Sequence, residues 1–280
     1  MGIVGSGQMG SGIAKVAMAT AQLDVLLVDN NANALSSAAK GIEGLIAKDV
    51  AKGKLTADLA KAATARLKTT TQLGDLKDVD FVIEAVSEVP ALKDSLFREL
   101  DRVCPPHAIL ASNTSSISIT RIGSNTKRAE KVIGMHFMNP VPVMKLVEVI
   151  PSLATSQETA ERTLALAKAM EKVTTKSEDI AGFIANRLLC PYLNEAFVAL
   201  GEGLGTKEDI DTTLKLGCNM PMGPLTLADF IGLDTVLAIM NVLHKELGDK
   251  YKPSPLLVRY VEAGWLGKKV GRGVFTYETK

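Results

Sequence analysis

The sequence has almost no excess of charge of either sign. Its 280 residues carry 32 Lys and Arg against 31 Asp and Glu, a formal net charge of +1. A chain without a net field does not attract nucleic acid or an anionic membrane as a whole, so an anionic ligand must be held by a local cluster of side chains. We therefore expect no nucleic-acid partner and no membrane partner.

Cysteine is scarce as well. The three cysteines, Cys104, Cys190 and Cys218, are an odd number, lie far apart in the chain and form no CxxC pair. This pattern is typical of free thiols in a reducing compartment, and it provides neither a disulfide framework nor a zinc-ligand set. We predict that the protein has no metal site.

Long apolar runs are also missing. The most apolar long window, residues 180–200, is interrupted by Asn186, Arg187, Asn194 and Glu195, so no segment reaches the length of a membrane span. The chain starts with "MGIVGSG", already inside a structural element, and shows no signal peptide or Arg/Ser-rich transit segment. We expect a soluble protein that is cytoplasmic, or that lies in an organellar matrix if a leader has been removed.

What is present is an alternation of strand and helix patterns. "GIVGSGQMGSGIAKVAMATAQLDVLLVDN" predicts a strand, a glycine turn, a helix of small apolar residues and a second strand. A helical stretch over 32–66, broken near Gly53 with Thr56 capping its second half, comes next, and a further helix is predicted over 91–103. The remaining strands are predicted in "DFVIEAV", "AILASN", "VIGMHF" and "MKLVEVI".

This alternation predicts an α/β fold, a Rossmann-type doubly wound and mostly parallel sheet. The last two strands are joined by only about five residues, too few for a parallel crossover, so they should be antiparallel. After residue 180 helical periodicity dominates, which predicts an all-α C-terminal domain. We place the domains at residues 1–182 and 183–280.

The first turn carries a nucleotide-binding signature. Residues 5–10 (Gly5, Ser6, Gly7, Gln8, Met9 and Gly10) spell GxGxxG between a strand and a helix, and Asp29 ends the next strand 19 residues past Gly10. Such glycines let backbone N–H groups approach a pyrophosphate, and the acid binds the adenosine ribose hydroxyls. Because a carboxylate would repel a 2′-phosphate, the pattern predicts NAD as cofactor rather than NADP. The alternative is a glycine turn that merely packs helix on strand.

The predicted antiparallel pair holds one histidine and one glutamate. If the hairpin turns about Val141, Glu148 lies opposite Gly134 and is the diagonal neighbour of His136, roughly 7–8 Å away on one face, where Gly134 leaves space. A carboxylate paired with imidazole fixes its tautomer, as proton transfer from an alcohol requires. The alternative for His136 is an ordinary core residue.

Two loop residues also follow predicted strands. Ser115, in "ASNTSS", and Asn139, in "MNP", lie where ligands of open α/β sheets bind. Their alternative is ordinary turn chemistry, since Ser and Asn favour loops.

These residues lie in longer motifs that resemble one family. "GSGQMGSGIA", "DFVIEAVSE", "ASNTSS", "GMHFMNPVPVMKLVEVI", "GFIANRLLCPYLNEA" and "KLGCNMPMGPLTLADFIGLD" are similar to the L-3-hydroxyacyl-CoA dehydrogenases, and within them to the short 3-hydroxybutyryl-CoA dehydrogenases. The resemblance covers nearly the whole chain. It implies NAD-dependent interconversion of (S)-3-hydroxyacyl-CoA and 3-oxoacyl-CoA, with an acyl-CoA substrate, as used in beta-oxidation and butanoate metabolism.

The resemblance also implies roles for individual residues. It makes His136 the general acid/base and Glu148 its orienting partner, and it places Ser115 and Asn186 at the reacting oxygen of the substrate. It adds Glu88, Lys93, Asn139 and Ser115 to the glycines and Asp29 on the cofactor side. It assigns Lys48, Lys52 and Lys93 to coenzyme A, where the alternative for the Lys48/Lys52 pair is a solvated helix face.

The resemblance also implies a role for each domain. The N-terminal domain is the NAD-binding Rossmann domain that carries the His/Glu pair, and the C-terminal domain is a helical substrate and dimerisation domain. The resemblance therefore implies a homodimer. Two other functions stay open. One is a related dehydrogenase of a free hydroxy acid or sugar acid, and the other is a catalytically silent NAD-binding dimer.

Overall fold

The computed structural model describes residues 1–278, in a first compact unit of residues 1–180 and a second that begins at Ala181. The first unit is built on one sheet. Its strands are β1 (Gly2–Val4), β2 (Val25–Val28), β3 (Leu67–Thr70), β4 (Phe81–Glu84), β5 (Ile109–Ser112), β6 (Val132–Phe137), β7 (Leu146–Pro151) and β8 (Val173–Lys176). Its helices are α1 (Gln8–Ala19), α2 (Ala32–Ala51), α3 (Ala57–Ala65), α4 (Pro90–Val103), α5 (Ile119–Gly123) and α6 (Gln157–Ala169), with 3-10 turns at Leu73–Asp78 and Ala129–Lys131.

The strand order is β3-β2-β1-β4-β5-β6-β7-β8, and every neighbouring pair is parallel except β6 and β7. The chain winds outward in both directions from β1 and β4, so the gap between those two strands is the switch point of the fold. The doubly wound sheet and its antiparallel hairpin are as predicted from the sequence.

Two strands of the sheet were not predicted. β3 reads "LKTT" and β8 reads "VTTK", and neither contains a fully buried residue. Each lies at an edge of the sheet. A strand that buries little has no need of the apolar run by which strands are recognised.

The helical stretch after β2 divides as predicted. α2 ends at Ala51, Gly53 turns the chain at φ +67°, and the hydroxyl of Thr56 caps α3 by accepting from the Leu59 amide at 3.3 Å. Thr56 is an N-cap of the preferred type, and Gly takes a positive φ at little cost.

Apolar side chains are buried on both faces of the sheet of the first unit, and one large cluster lies between one face and the helices that cover it. Ile3, Leu27, Ile83 and Ile133 point into this cluster, where they meet apolar side chains such as Ile13 of α1. Because side chains alternate along a strand, the next residue on each strand points to the opposite face. That alternation decides which face carries the polar groups described below.

The second unit is helical. It contains α7 (Ala185–Gly201), α8 (Lys207–Thr212), a π-helical turn (Thr213–Gly217), α9 (Pro224–Ile231), α10 (Leu233–Leu247) and α11 (Pro255–Glu262), with 3-10 turns at Asp249–Tyr251 and Lys268–Val270. It has an apolar core of its own, which includes Leu193, Phe197, Leu225, Val236 and Leu257. A separate core is what defines an independent folding unit.

Within residues 1–278 no single helix is long and apolar enough to cross a membrane. Only the sharply bent pair Pro224–Ile231 and Leu233–Leu247 meets the length and composition test, and only when the two helices are taken together.

Candidate active site

The polar residues of the first unit gather at the carboxyl end of the parallel strands. Gly5 follows β1, Asp29 follows β2, Glu84 ends β4 and Ser112 ends β5. Because parallel strands end at one edge, these residues share that edge of the sheet. It is the edge at which ligands of doubly wound sheets bind.

The glycine turn is shaped for close backbone approach. Gly5 has φ +102°, and a Cβ there would lie 2.5 Å from the carbonyl oxygen of Ala85. A Cβ on Gly10 would overlap the carbonyl oxygen of Gly5, whereas one on Gly7 would meet nothing within 4 Å. Gly7, the N-cap residue of α1, therefore lies at an open surface, and no side chain caps the helix. An uncapped helix N-terminus beside a tight glycine turn suits a pyrophosphate, so these residues fit NAD.

Asp29 is fixed beside the turn. Its Oδ2 accepts from the amide of Ser6 at 2.8 Å and from the Ser6 hydroxyl at 2.7 Å, and its Oδ1 accepts from the amide of Asn31 at 3.0 Å. Partial burial pushes the pKa of Asp29 upward, but these hydrogen bonds outweigh it and hold the pKa below its usual value. The carboxylate is therefore charged where a 2′-phosphate would have to sit.

His136 and Glu148 are direct cross-strand partners. His136 pairs with Glu148 and Gly134 pairs with Ile150, so the predicted register, with Glu148 opposite Gly134, is wrong by two residues. The pairing centres the hairpin on Pro142 rather than on Val141. In consequence the two side chains touch directly, with Nδ1 of His136 at 2.8 Å from Oε2 of Glu148.

Gly134 does not leave space, contrary to the prediction. A Cβ there would lie 2.8 Å from Cβ of Ile150 and 2.9 Å from the side chain of Ile119 on α5. The glycine lets α5 pack closely on β6, on the face that carries His136. This packing fixes the strand under the histidine.

The pair is buried, with Glu148 fully buried and His136 7% exposed. An ionised carboxylate at 2.8 Å requires a hydrogen on Nδ1, which leaves Nε2 as the basic nitrogen of the neutral ring. A carboxylate also stabilises the imidazolium that forms when Nε2 takes a proton. Such an arrangement can serve chemically as a general acid/base.

Glu88 holds the turn that carries Ser115. Its Oε1 accepts from the Thr114 hydroxyl at 2.5 Å, from the Ser115 amide at 2.7 Å and hydroxyl at 3.1 Å, and from the Ser116 amide at 3.2 Å. Burial raises the pKa of Glu88, but the nearby Lys93 ammonium and these donors together outweigh it, so the net pKa lies below the usual value. Glu88 is thus an ionised anchor for the turn.

Lys93 lies behind Glu88 and is 1% exposed. Its ammonium is 3.2 Å from Oε2 of Glu88 and 2.5 Å from Oε1 of Glu84, which is fully buried. Glu84 also accepts from the Ser112 hydroxyl at 2.6 Å and from the Val86 amide at 2.7 Å. Sequence reasoning missed Glu84 and Ser112. The sequence signal that could have identified Glu84 is an acidic residue at the end of the apolar run "DFVIE", at the carboxyl end of a strand.

Asn113 was also missed as a site residue. Its side-chain oxygen accepts from the backbone amide of Phe137 at 2.8 Å, which ties the end of β5 to the end of β6 beside His136. Nothing in its spacing from Phe137 would have revealed this contact.

The remaining predicted residues lie in the hairpin turn, at the end of α2 and in the second unit. Asn139 is exposed in the hairpin turn. Lys48 lies in the last turn of α2 and Lys52 is the C-cap of that helix, and both lysines are exposed. Asn186 is the second residue of α7, in the second unit. Among residues 1–278 there is no group of three or more His, Cys, Asp and Glu side chains that could hold a metal ion.

The doubly wound sheet and its glycine turn are those of a dinucleotide-binding protein. Residues 1–180 match the NAD binding domain model of 3-hydroxyacyl-CoA dehydrogenase, and residues 182–277 match the model of its C-terminal domain. The chain belongs to the 3-hydroxyacyl-CoA dehydrogenase family, and its cofactor is NAD.

Individual relatives agree over the full length. The chain is 53% identical over 279 residues to a probable 3-hydroxybutyryl-CoA dehydrogenase of Bacillus subtilis, covering 99% of this chain and 97% of the relative. It is 50% identical to a 3-hydroxybutyryl-CoA dehydrogenase of Bradyrhizobium diazoefficiens, covering 99% and 94%. The crystal structure of (S)-3-hydroxybutyryl-CoA dehydrogenase from Ralstonia eutropha is similar with a TM-score of 0.96, at 47% identity, covering 99% and 98%.

Proposed function

We propose that the protein oxidises (S)-3-hydroxyacyl-CoA, most specifically 3-hydroxybutyryl-CoA, to the 3-oxoacyl-CoA with NAD, and catalyses the reverse reduction. The observation that carries this proposal is the 2.8 Å pair of His136 and Glu148, held on rigid strands at the edge that bears the NAD turn. The 3-hydroxybutyryl-CoA dehydrogenases to which the chain is similar supply the substrate class.

His136 is the general acid/base of the proposed reaction. In the oxidation, Nε2 takes the proton of the C3 hydroxyl, and Glu148 keeps the hydrogen on Nδ1 and stabilises the imidazolium. Bound NAD supplies the acceptor of the C3 hydride. In the reduction, the imidazolium returns the proton to the C3 oxygen. Ser115 binds that oxygen in this proposal.

The cofactor is held by the glycine turn, by Asp29 at the adenosine ribose, and by Glu88 and Asn139 near the nicotinamide half. We assign Lys93 to the cofactor side through Glu88. A 1% exposed ammonium that is paired with two carboxylates cannot reach a CoA phosphate without breaking both pairs, so the predicted CoA role of Lys93 is not retained. We place the CoA phosphates at Lys48 and Lys52.

The second unit is proposed to form a homodimer. It exposes several large apolar side chains that its own core does not cover, among them Leu188, Leu204, Leu216 and Phe230, between 53% and 80% exposed. Exposed apolar groups of this size are typical of protein interfaces.

We propose a cytoplasmic location, in line with the free thiols.

The function is tested by following NADH absorbance with acetoacetyl-CoA beside acetoacetate. We expect fast turnover of the thioester and little of the free acid. Preference for the free acid would support the hydroxy-acid dehydrogenase instead. NADH binding without turnover of either compound would support the catalytically silent NAD-binding protein.

A further inference from the structure

One buried and one partly exposed carboxylate share a buried ammonium in the first unit. Glu84 is fully buried, Lys93 is 1% exposed, and Glu88 completes the set from a loop. Moving such charges out of water is expensive, and apolar residues of similar volume would often stabilise the fold as well or better. The stability of the fold alone therefore does not account for this cluster.

The cluster is rigid at one end. Glu84 is the last residue of β4, and its two oxygens are fixed by the Val86 amide, the Ser112 hydroxyl and Lys93. Lys93 lies in the first turns of α4, so it is also held by regular structure. Glu88 lies in the connecting loop, so Lys93 is the fixed charge against which it is positioned.

The other end of the cluster reaches the Ser115 turn, which we define as residues 114–116. Glu88 accepts from both backbone amides of Ser115 and Ser116 and from the Thr114 hydroxyl. Thr114 is itself fully buried, and its oxygen also accepts from the Ile117 amide at 2.9 Å. One carboxylate thus sets the conformation of the whole turn.

The cluster and the His136–Glu148 pair lie on one face of the sheet. Glu84 is in register with Ser112, Ser112 with Gly134, and residues 134 and 136 point to the same side of β6. The opposite face is the one that packs on α1 through Ile83 and Ile133. The Glu84 end of the cluster therefore lies on the face of the sheet that carries the histidine.

We propose that Glu84 and Lys93 are positioning residues that hold Glu88, and through it the Ser115 turn, in the geometry in which Ser115 meets the reacting oxygen of the substrate. This inference rests on the proposed function for the role of Ser115. Two residues, Lys93 and Glu88, lie between Glu84 and Ser115 in this chain of contacts, so Glu84 is not a catalytic residue itself.

The main test variant is Glu84→Gln, which keeps the shape of the side chain and removes its charge. Lys93 then has Glu88 as its only anionic partner and draws it away from the turn. We expect kcat with acetoacetyl-CoA to fall at least about tenfold, since a misplacement of about 1 Å can cost about a hundredfold.

The matched control is Asp101→Asn. It removes the charge of another buried pair of the first unit, in which Arg128 donates to Asp101 at 2.7 Å, away from the Ser115 turn. Both variants should lower the melting temperature, but only Glu84→Gln should lower kcat at a temperature where both are folded. Full kcat in Glu84→Gln would overturn the proposal.

A second pair of variants covers the case in which Glu84→Gln does not fold. Thr114→Val removes the hydroxyl that donates to Glu88 and keeps the shape, whereas Thr114→Ser keeps the hydroxyl. We expect Thr114→Val to lower kcat and Thr114→Ser to restore most of it. If Glu84→Gln folds, the double variant with Thr114→Val should lose little more than the worse single one, because both act through Glu88. Equal kcat in the two Thr114 variants would overturn the proposal.

Amide hydrogen exchange separates this inference from the proposed function. In Glu84→Gln, or in Thr114→Val, the amides of Ser115 and Ser116 should exchange faster, and Asp101→Asn should leave them unchanged. This readout needs no turnover. An inactive wild type would contradict the proposed function, and unchanged exchange at both amides would contradict the positioning role whether or not the enzyme is active.

Discussion

At the scale of single residues, the most specific prediction concerns His136. Replacing it by Gln removes the nitrogen that takes the hydroxyl proton, and general acid/base work contributes roughly 10²–10⁴-fold. We expect kcat to fall by two orders of magnitude or more, while NADH affinity, measured by fluorescence titration, stays near the wild-type value. Near-normal turnover would remove His136 from the mechanism.

Glu148 is predicted to act only through His136. Glu148→Gln keeps a hydrogen-bonding group against Nδ1 but removes the charge that stabilises the imidazolium. We expect kcat for the oxidation of 3-hydroxybutyryl-CoA to fall and the acid limb of its pH profile to move to lower pH, because the protonated ring loses its partner. If the pH profile is unchanged, the contact has no part in proton transfer.

Asp29 is predicted to set the choice of cofactor. The wild type should strongly prefer NADH, and Asp29→Ala should weaken NADH binding and narrow its margin over NADPH, because a ribose acceptor and a repulsive charge are both lost. Equal kinetics with the two cofactors in the wild type would contradict this.

The same residue gives a pH prediction. The folded pKa of Asp29 is lower than the ordinary 3.8, so its charge, and the stability it contributes, are present above that value and are lost as the pH falls through the folded pKa. The preference for NADH should therefore be constant between about pH 5 and pH 8. A preference that declines within this range would mean that another group sets it.

At the scale of elements, the end of α2 separates acyl-CoA from smaller substrates. Lys48 and Lys52 are exposed one turn apart at the C-terminal end of α2. Their positive charges also interact favourably with the negative end of the helix dipole. If they bind CoA phosphates, changing both to Ala should raise KM for acetoacetyl-CoA and weaken its dependence on salt.

A truncated thioester without the nucleotide is the control, because it never reaches these lysines. Its KM should be unaltered in the double variant. An equal response of both substrates would mean that the lysines form only a solvated face.

The elements also show what sequence reasoning can reach. The central strands were predictable because buried parallel strands are continuous apolar runs, and Thr56 and the glycine turn have local signatures. The edge strands β3 and β8 bury too little to be recognised. The hairpin register was missed because prolines 140 and 142 left the centre of the turn undetermined, and packing of Gly134 against Ile119 and Ile150 fixes it.

The candidate site was predictable to the same degree. His136, Glu148, Asp29 and the glycines follow from residue type and position along the strands. Glu84 was not predictable, because its place in the site depends on contacts with Lys93 and Ser112, and these two residues lie on other elements.

At the scale of the whole molecule, the exposed side chains of the second unit predict the oligomeric state. The wild type should elute at twice the 29.7 kDa of one chain. Leu216→Asp, at a side chain 74% exposed, should yield folded monomer if that side chain lies in the interface. The control is Leu153→Asp, at a 93% exposed side chain of the first unit, which should stay dimeric. A monomeric wild type would contradict the homodimer.

The direct pairing of His136 with Glu148 has a consequence for how the site is assembled during folding. The two residues are 12 positions apart in one hairpin, whereas the bond between Ser6 and Asp29 spans 23 positions and that between Glu84 and Ser112 spans 28. The entropic cost of closing a loop grows with its length, so the His136–Glu148 contact is the least costly of these three to form. A chain that has formed little more than this hairpin already holds the histidine against the glutamate, while the turn proposed to bind the cofactor has to wait until more distant strands have joined the sheet.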